Sequence, residues 1–563
     1  MKRTCRISAR TFEVSQEELA LLERLSPVIN GRRYPLPAPD VCPDERKRLR
    51  LAFRNERNLF RRRCDATGAQ IFSAYSPDKP WKVYSREAWW GDGWDERGFG
   101  REFDFSRPFF PQFAELKKSV PQLTLVSTPE VEENNSTYVN FCGHSRNCYM
   151  TFDSDFNEDS CYANVLKHSR YCLDCSYVQD SELCYECVDC SSCYALSFSQ
   201  DCVNCSNSAF LRGCIGCSDC LLCTNLVKKQ YCIENRSCTK AEYLRLRREF
   251  DLGTAAGIRA LRERFQAFHL AYPKKYCRIM KAENCSGDYI LNAKNCRCCF
   301  NIADCEDMWH CDALYGAKDC MDVSSFGEKI ERVYNSGTIG VDAVNIWMSY
   351  VVVANCSDLI YCDNCRQSRS SFGCCSLRRR EYCILNKQYS RDEYNALAPR
   401  IIEHMTRTGE WGAYFPISLS PFGYNETMAG EHFPLRREEA QALVAAWSDY
   451  QPPAPDVPAA APEDLPERIA EAGDDVLSKA IRCEATGRAF RMTRAELDSY
   501  RKKGLPLPRR HPDQRYRDRM KQRNPQRLWE RRCAKTGRSL LTSYSPDGPE
   551  IIYCEEAYQE ALE

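Results

Sequence analysis

Between Cys142 and Cys232 the sequence repeats at a spacing of about fifteen residues. The repeat is plainest in Cys172-Leu-Asp-Cys175, Cys187-Val-Asp-Cys190, Cys202-Val-Asn-Cys205 and Cys217-Ser-Asp-Cys220. A unit this short cannot bury an apolar face alone, so it must stack on its neighbours as one coil of a solenoid. At this spacing the residues fall into uniform columns. One runs Cys142, Asn157, Cys172, Cys187, Cys202, Cys217, Cys232, and such small residues suit a narrow interior. Another runs His144, Asp159, Asp174, Asp189, Asn204, Asp219, and reads as a corner where Asx side chains bond local backbone.

A second copy follows at an offset of 151 residues, matching Tyr138 with Tyr289, Cys148 with Cys299, Cys205 with Cys356, Cys223 with Cys374 and Cys232 with Cys383. Each copy ends in a capping-box helix start, Thr239 with Glu242 and Ser390 with Glu393, and a helical spacer near 255–272 joins them. The ends of the chain also match. Arg61-Arg-Arg-Cys64 with Tyr75-Ser-Pro-Asp has its counterpart in Arg531-Arg-Cys533 with Tyr544-Ser-Pro-Asp, so one small module occurs at both termini. An aromatic stretch holding Trp89, Trp94, Phe103, Phe109, Phe110 and Phe113 is expected to cover the open end of the solenoid, and Phe415–Thr427 to close the other.

The 37 cysteines admit three readings. In the first they are small buried hydrophobes, because Cys184, Cys187, Cys190 and Cys193 meet Asn335, Thr338, Val341 and Val344 at offset 151, and a ligand cannot be exchanged for valine. In the second, pairs one coil apart gather four thiolates for zinc: Cys172 and Cys175 with Cys187 and Cys190, and Cys202 and Cys205 with Cys217 and Cys220. The third, an iron–sulfur protein, fails on the last cysteine gap and the missing proline. In the C-terminal module Cys483, His511, Cys533 and Cys554 form a candidate Cys3His set.

Lys plus Arg (79) nearly cancels Asp plus Glu (78), so any electrostatic recognition must be local. Two basic segments stand out. The first carries Arg46, Lys47, Arg48, Arg50, Arg54, Arg57, Arg61, Arg62 and Arg63; the second carries Arg515, Arg517, Arg519, Lys521, Arg523 and Arg527. Such concentration suggests phosphate contacts, to RNA or a ribonucleoprotein. The competing reading pairs these helices with the acidic solenoid surface around Asp153, Asp155, Glu158 and Asp159. The chain start lacks an apolar signal core, and no apolar run of about eighteen residues exists, so a cytoplasmic protein without a membrane partner is expected.

The stretches Leu51–Leu59, Tyr75–Pro80, Phe103–Phe110, Ile384–Ser390 and Phe415–Thr427 resemble an uncharacterised Cys-rich family of candidate-phyla-radiation bacteria. That resemblance implies zinc-ribbon-like terminal modules. Glu45, Thr536 and Ala557 stand where a cysteine would complete a knuckle, and the family implies no activity.

The expected fold is therefore mainly β: a duplicated parallel β-solenoid of about fifteen residues per coil, with helical caps and small α+β zinc-ribbon-like modules at both ends. The segments are a module at 1–90, an aromatic cap at 91–133, solenoid copies with their caps at 134–253 and 277–411, a spacer at 254–276, a closing segment at 412–448, a Pro/Ala linker at 449–470 and a second module at 471–563. The function expected is a non-enzymatic scaffold, possible zinc binding included, whose basic modules bind nucleic acid. The alternatives are a polymer-acting solenoid enzyme and a purely protein-binding scaffold. The seven scattered histidines, with no nucleophile–base grouping, argue against the enzyme.

Overall fold

The computed structural model describes residues 1–318, 320–324, 330–337, 343–350 and 355–562. Its centre is a parallel β-solenoid in two copies, roughly 139–233 and 279–384; strands pair in chain order, except that in the first copy Val188–Ser191 and Ala209–Arg212 end separate sheets joined through isolated bridges such as Ser191 to Val203 and Ser197 to Ala209. The coil is shorter than expected. Ser154 pairs with Cys142, Asn164 with Phe152, Ser176 with Asn164 and Val188 with Ser176, a step of twelve residues.

Each twelve-residue coil is built from four triplets, one per side. The first residue of a triplet points inward, the second pairs with neighbouring coils, and the third turns the corner in the left-handed region. From Phe141 to Glu234 every third residue has φ of about 45–66°, including Tyr162, Val165 and Phe198. That conformation costs a non-glycine residue roughly 1–2 kcal/mol, so stacking must over-determine it. Backbone bonding in both directions does so: Glu158 N–H donates to Ser169 in the coil above, and Asp159 N–H to Arg146 in the coil below. The column from His144 through Asp219 does lie at corners, as expected.

The fifteen-residue repeat is thus twelve plus one triplet. Cys172, Cys187, Cys202 and Cys217 lie on successive sides, whereas true columns read Cys142, Ser154, Leu166, Val178, Cys190, Cys202, Cys214. The same ambiguity affects the offset between copies. Three coils of the second copy have thirteen residues, pairing Lys318 with Glu331, Glu331 with Val344 and Val344 with Ser357. Their three extra residues convert a spatial offset of 148 before them into 151 after them. Val344 is then 39% exposed and is no substitute for a core cysteine, and Asn335 bonds Arg50 instead. Thr338 and Val341 lie outside the described residues.

The interior explains the cysteines. The inward residue's own N–H lacks a carbonyl partner in the neighbouring coil, and a small side chain twelve residues earlier accepts it. Leu166 N–H donates to Ser154 Oγ at 3.0 Å, Cys193 N–H to Ser181 Oγ at 3.0 Å and Asn235 N–H to Cys223 Sγ at 3.4 Å. The acceptor in turn donates to the carbonyl two residues before it, as Ser181 does to Gln179 (2.8 Å) and Cys187 to Tyr185 (3.6 Å). Serine and cysteine share this task, and leucine, valine and alanine fill remaining positions of the same columns.

Both capping boxes form, opening helices Lys240–Arg247 and Arg391–Thr408, and the spacer is the helix Ala255–Leu270. The first coil is covered by residues 126–136, where Val131 packs on Val139, Cys142 and Cys148. The aromatic segment instead lies on the flank of the second copy. Phe109 and Phe110 meet Tyr361, and Phe113 meets Phe415 of the closing segment.

Candidate functional site at the module–solenoid junctions

The two terminal modules align with an offset of 469, from Cys42-Pro-Asp against His511-Pro-Asp to Cys64 against Cys533. Each places arginines at four-residue spacing on and beyond a short helix, Pro43–Leu51 or Pro512–Met520, so that they share one face. Arg46, Arg50 and Arg54 in one module correspond to Arg515, Arg519 and Arg523 in the other.

These arginines enter the protein. In the C-terminal junction Asp174 takes Arg515 at 2.5 Å on one carboxylate oxygen and Arg519 at 2.7 Å on the other, and Arg515 also reaches Glu496 at 3.1 Å. Arg519 donates further to Ser176 Oγ at 3.2 Å. The N-terminal junction repeats the pattern on the second copy. Asp322 binds Arg46 and, at 3.4 Å, Arg50; Arg46 reaches Glu18 at 3.2 Å and Arg50 donates to Ser324 Oγ at 3.1 Å. Asp174-Cys-Ser176 and Asp322-Val-Ser324 are separated by 148 residues, the spatial offset of the copies. Arg54 then crosses to Asp153 of the first copy (3.1 Å), as Arg523 reaches Asn301 of the second (2.6 Å), again 148 apart. The molecule is a pseudo-twofold assembly in which each module clamps one solenoid copy and touches the other.

The clamps are almost dry: side chains of Asp174 and Asp322 are 0% and 1% exposed, those of Arg519 and Arg50 2% and 1%. Burial pushes Asp322 up, but Arg46 and Arg50 pull it below the usual carboxylate range. At Asp174 burial outweighs Arg515 and Arg519 and leaves the carboxyl above its ordinary value. A buried cluster of this kind fixes how module and solenoid fit, because removing one partner strands another charge.

The other basic residues divide. Lys47 pairs with Asp312 at 3.2 Å, Arg48 with Glu45, and Arg62 with Asp65 at 3.0 Å. Arg57 lies 3.5 Å over the Tyr516 ring and Arg523 3.4 Å over Tyr177. Arg61, Arg63, Arg517, Lys521 and Arg527 remain exposed. Of the acidic surface residues, Asp153 meets a basic segment. Asp155 instead meets His144 at 3.1 Å, Glu158 meets Arg146 at 3.6 Å, and Asp159 accepts from Asn147 at 3.1 Å.

The expected thiol sets are arranged differently. With a twelve-residue coil Cys172 stacks on Cys184, and Cys175 on Cys187, so Cys187 lies a full coil and one triplet from Cys172, and Cys190 the same distance from Cys175. Cys190 stacks on Cys202, and Cys205 on Cys217, with Cys220 one triplet beyond. Burial pushes Cys148 up to about 11 and Cys299 well above the ordinary thiol value. The terminal set splits into two places. Cys483 accepts a backbone bond from His511, and Cys533 Sγ accepts the Cys554 N–H at 3.3 Å. Thr536 completes the second pair, its N–H 3.4 Å from Cys533 Sγ and its hydroxyl 3.8 Å from Cys554 Sγ. Burial raises Cys533, but Thr536 and the Cys554 N–H draw it down to about 6. In the first module Cys5 accepts the Cys42 N–H at 3.3 Å, and Cys64 the Ser85 N–H at 3.2 Å. Among the described residues no group of three or more His, Cys, Asp or Glu side chains is placed to hold a metal ion.

The carboxylate halves of the clamps, Glu18, Glu496 and Asp322, were not singled out by sequence reasoning. The available signal was the four-residue arginine spacing in both modules together with the repeated Asp-x-Ser. Scans of family models, curated proteins and solved structures find no match to this chain, and no helix among the described residues is long and apolar enough to cross a membrane.

Proposed function

We infer that the chain is a non-enzymatic β-solenoid scaffold that holds a protein partner on the outer faces of its coils, with its basic helices acting as internal clamps. The observation that carries this reading is the buried Arg515–Asp174–Arg519 cluster and its counterpart Arg46–Asp322–Arg50. Guanidinium groups committed to buried carboxylates cannot neutralise phosphates without undocking the modules. The same clusters bear on the enzyme alternative, because these aspartates already carry guanidinium partners.

A second reading keeps nucleic-acid binding on the exposed residues Arg61, Arg63, Arg517, Lys521 and Arg527. Zinc held by the terminal cysteine pairs would be compatible with either.

Fluorescence anisotropy with single-stranded RNA across a salt series separates the readings. The scaffold reading expects weak binding with a log–log salt slope no steeper than about 2. A slope of about 5 or more, reduced by Arg63→Ala and Arg527→Ala, would favour nucleic acid as the partner. On the scaffold reading, cross-links to a captured protein fall on the face carrying Arg146, Glu158, Arg170 and Glu182, an exposed ladder of alternating charge.

A further inference from the structure

The two solenoid copies begin differently. An asparagine ladder marks the layer beneath the first full coil in each: Asn135 Nδ2 donates to Asn147 Oδ1 at 3.2 Å in the first copy, and Asn284 Nδ2 to Asn295 Oδ1 at 3.0 Å in the second. In the first copy that layer is closed. Asn135 N–H donates to the Glu132 carbonyl at 3.3 Å and Ser136 N–H to the Val131 carbonyl at 2.7 Å, while the Val131 side chain plugs the core.

In the second copy the same layer, residues 279–286, is bare. Glu283 and Ser286 send their N–H groups up the stack to Ala293 and Cys296, at 2.9 and 2.8 Å. Lys281 and Asn284 are corner residues, with φ of 49° and 53°, and a corner N–H bonds to the coil below, as Asp159 does to Arg146. Among the described residues these two N–H groups have no acceptor, and the carbonyls of Ala282 and Cys285 receive no donor. Ala282 and Cys285 stand half-buried in the mouth, and Met280, 54% exposed, lies on its rim. Such a row of unpaired backbone groups is a template for another strand.

The edge is complementary to itself. Ile279-Met280-Lys281-Ala282-Glu283-Asn284-Cys285, laid antiparallel on its own copy about Ala282, sets Lys281 of each chain opposite Glu283 of the other. Both residues are exposed, and neither has an ion-pair partner among the described residues. A lysine on a sheet edge ordinarily repels an added strand, but two residues from a glutamate it forms half of a reciprocal pair, as a twofold contact requires.

We propose that the mouth of the second solenoid copy, residues 279–286, is a self-association surface on which a second copy of this chain docks head to head, the two edges pairing antiparallel. The proposal is independent of what the outer faces of the coils hold.

The test is sedimentation velocity of the full chain over a concentration series, with hydrogen exchange on the same samples. A reversible dimer is expected, in which the amides of Lys281 and Asn284 exchange more slowly than in the monomer. Lys281→Glu and Glu283→Lys each set like charges opposite one another twice, and each should weaken the dimer by about tenfold or more. The double variant Lys281→Glu with Glu283→Lys should restore it, and so should an equimolar mixture of the two single variants. Glu438→Lys, exposed on the closing segment, should leave it unchanged. A chain that stays monomeric, even one whose mouth is protected by a different protein, overturns the proposal, as does a dimer indifferent to both charge reversals.

Discussion

Asp174→Asn tests the clamp directly. The substitution keeps the shape and removes the charge that two guanidiniums share at 2.5 and 2.7 Å. Losing one partner of a buried pair costs about 3–5 kcal/mol. Here Arg515 keeps Glu496 and Tyr500, and Arg519 keeps Ser176 and the Tyr162 carbonyl, so the lower end, roughly 3 kcal/mol, is expected. At about 1.4 kcal/mol per decade this is a change of about a hundredfold in the opening equilibrium of the module. Native-state hydrogen exchange read by mass spectrometry should show that loss of protection in Pro512–Met520. Pro43–Leu51, clamped to Asp322, should change little, and Asp322→Asn should give the mirror image. Equal losses in both modules, or a change under about threefold, would refute the reasoning, because the pair would then be worth no more than a surface ion pair.

Cys374 Sγ accepts the Asn386 N–H at 3.4 Å and donates to the Phe372 carbonyl at 3.4 Å, so Cys374→Ser should cost under about 1 kcal/mol, whereas Cys374→Val should cost about 2 kcal/mol by orphaning the amide, as measured by urea unfolding. Burial, with Arg212 and Lys274 nearby, depresses His269 to about 3, and burial, with Arg488 and Arg515, depresses His511 to about 4. Both are neutral in the fold, so between pH 6.5 and about 4 the unfolded chain binds more protons and stability falls as pH falls; at pH 5 the loss is roughly 2 kcal/mol per histidine, visible as a drop in Tm. Ala195 at φ 50° and Gly216 at φ 65° occupy left-handed corners, so Ala195→Gly should stabilise and Gly216→Ala destabilise, each by about 1 kcal/mol, in thermal unfolding. Because the coil thiols serve backbone amides, elemental analysis of protein purified without added metal should find no more than about two zinc per chain, the number the two terminal modules could hold; three or more would overturn that account.

Much of the scaffold was legible before the fold was known. Cysteine and serine at inward positions, Asx at corners, and the pairs Thr239–Glu242 and Ser390–Glu393 each follow from local chemistry that a short stretch of sequence carries. The coil length was not. Every triplet uses the same inward, paired and corner roles, so a stripe advancing one side per coil, such as Cys172, Cys187, Cys202, repeats as clearly as a true column. Only hydrogen bonds between coils distinguish twelve from fifteen.

The sequence by itself determined that this chain is a duplicated solenoid with small inward residues, helical caps and matched terminal modules, because stacking of short units and helix capping are local requirements. Tertiary structure decided what the basic residues do. Arg46 meets Asp322 and Arg519 meets Asp174, partners separated by 276 and 345 residues. No local pattern says whether such an arginine faces solvent or a carboxylate brought from the far copy. A helix that reads as a basic surface is, in the assembled molecule, the part that locks the ends of the chain onto its core.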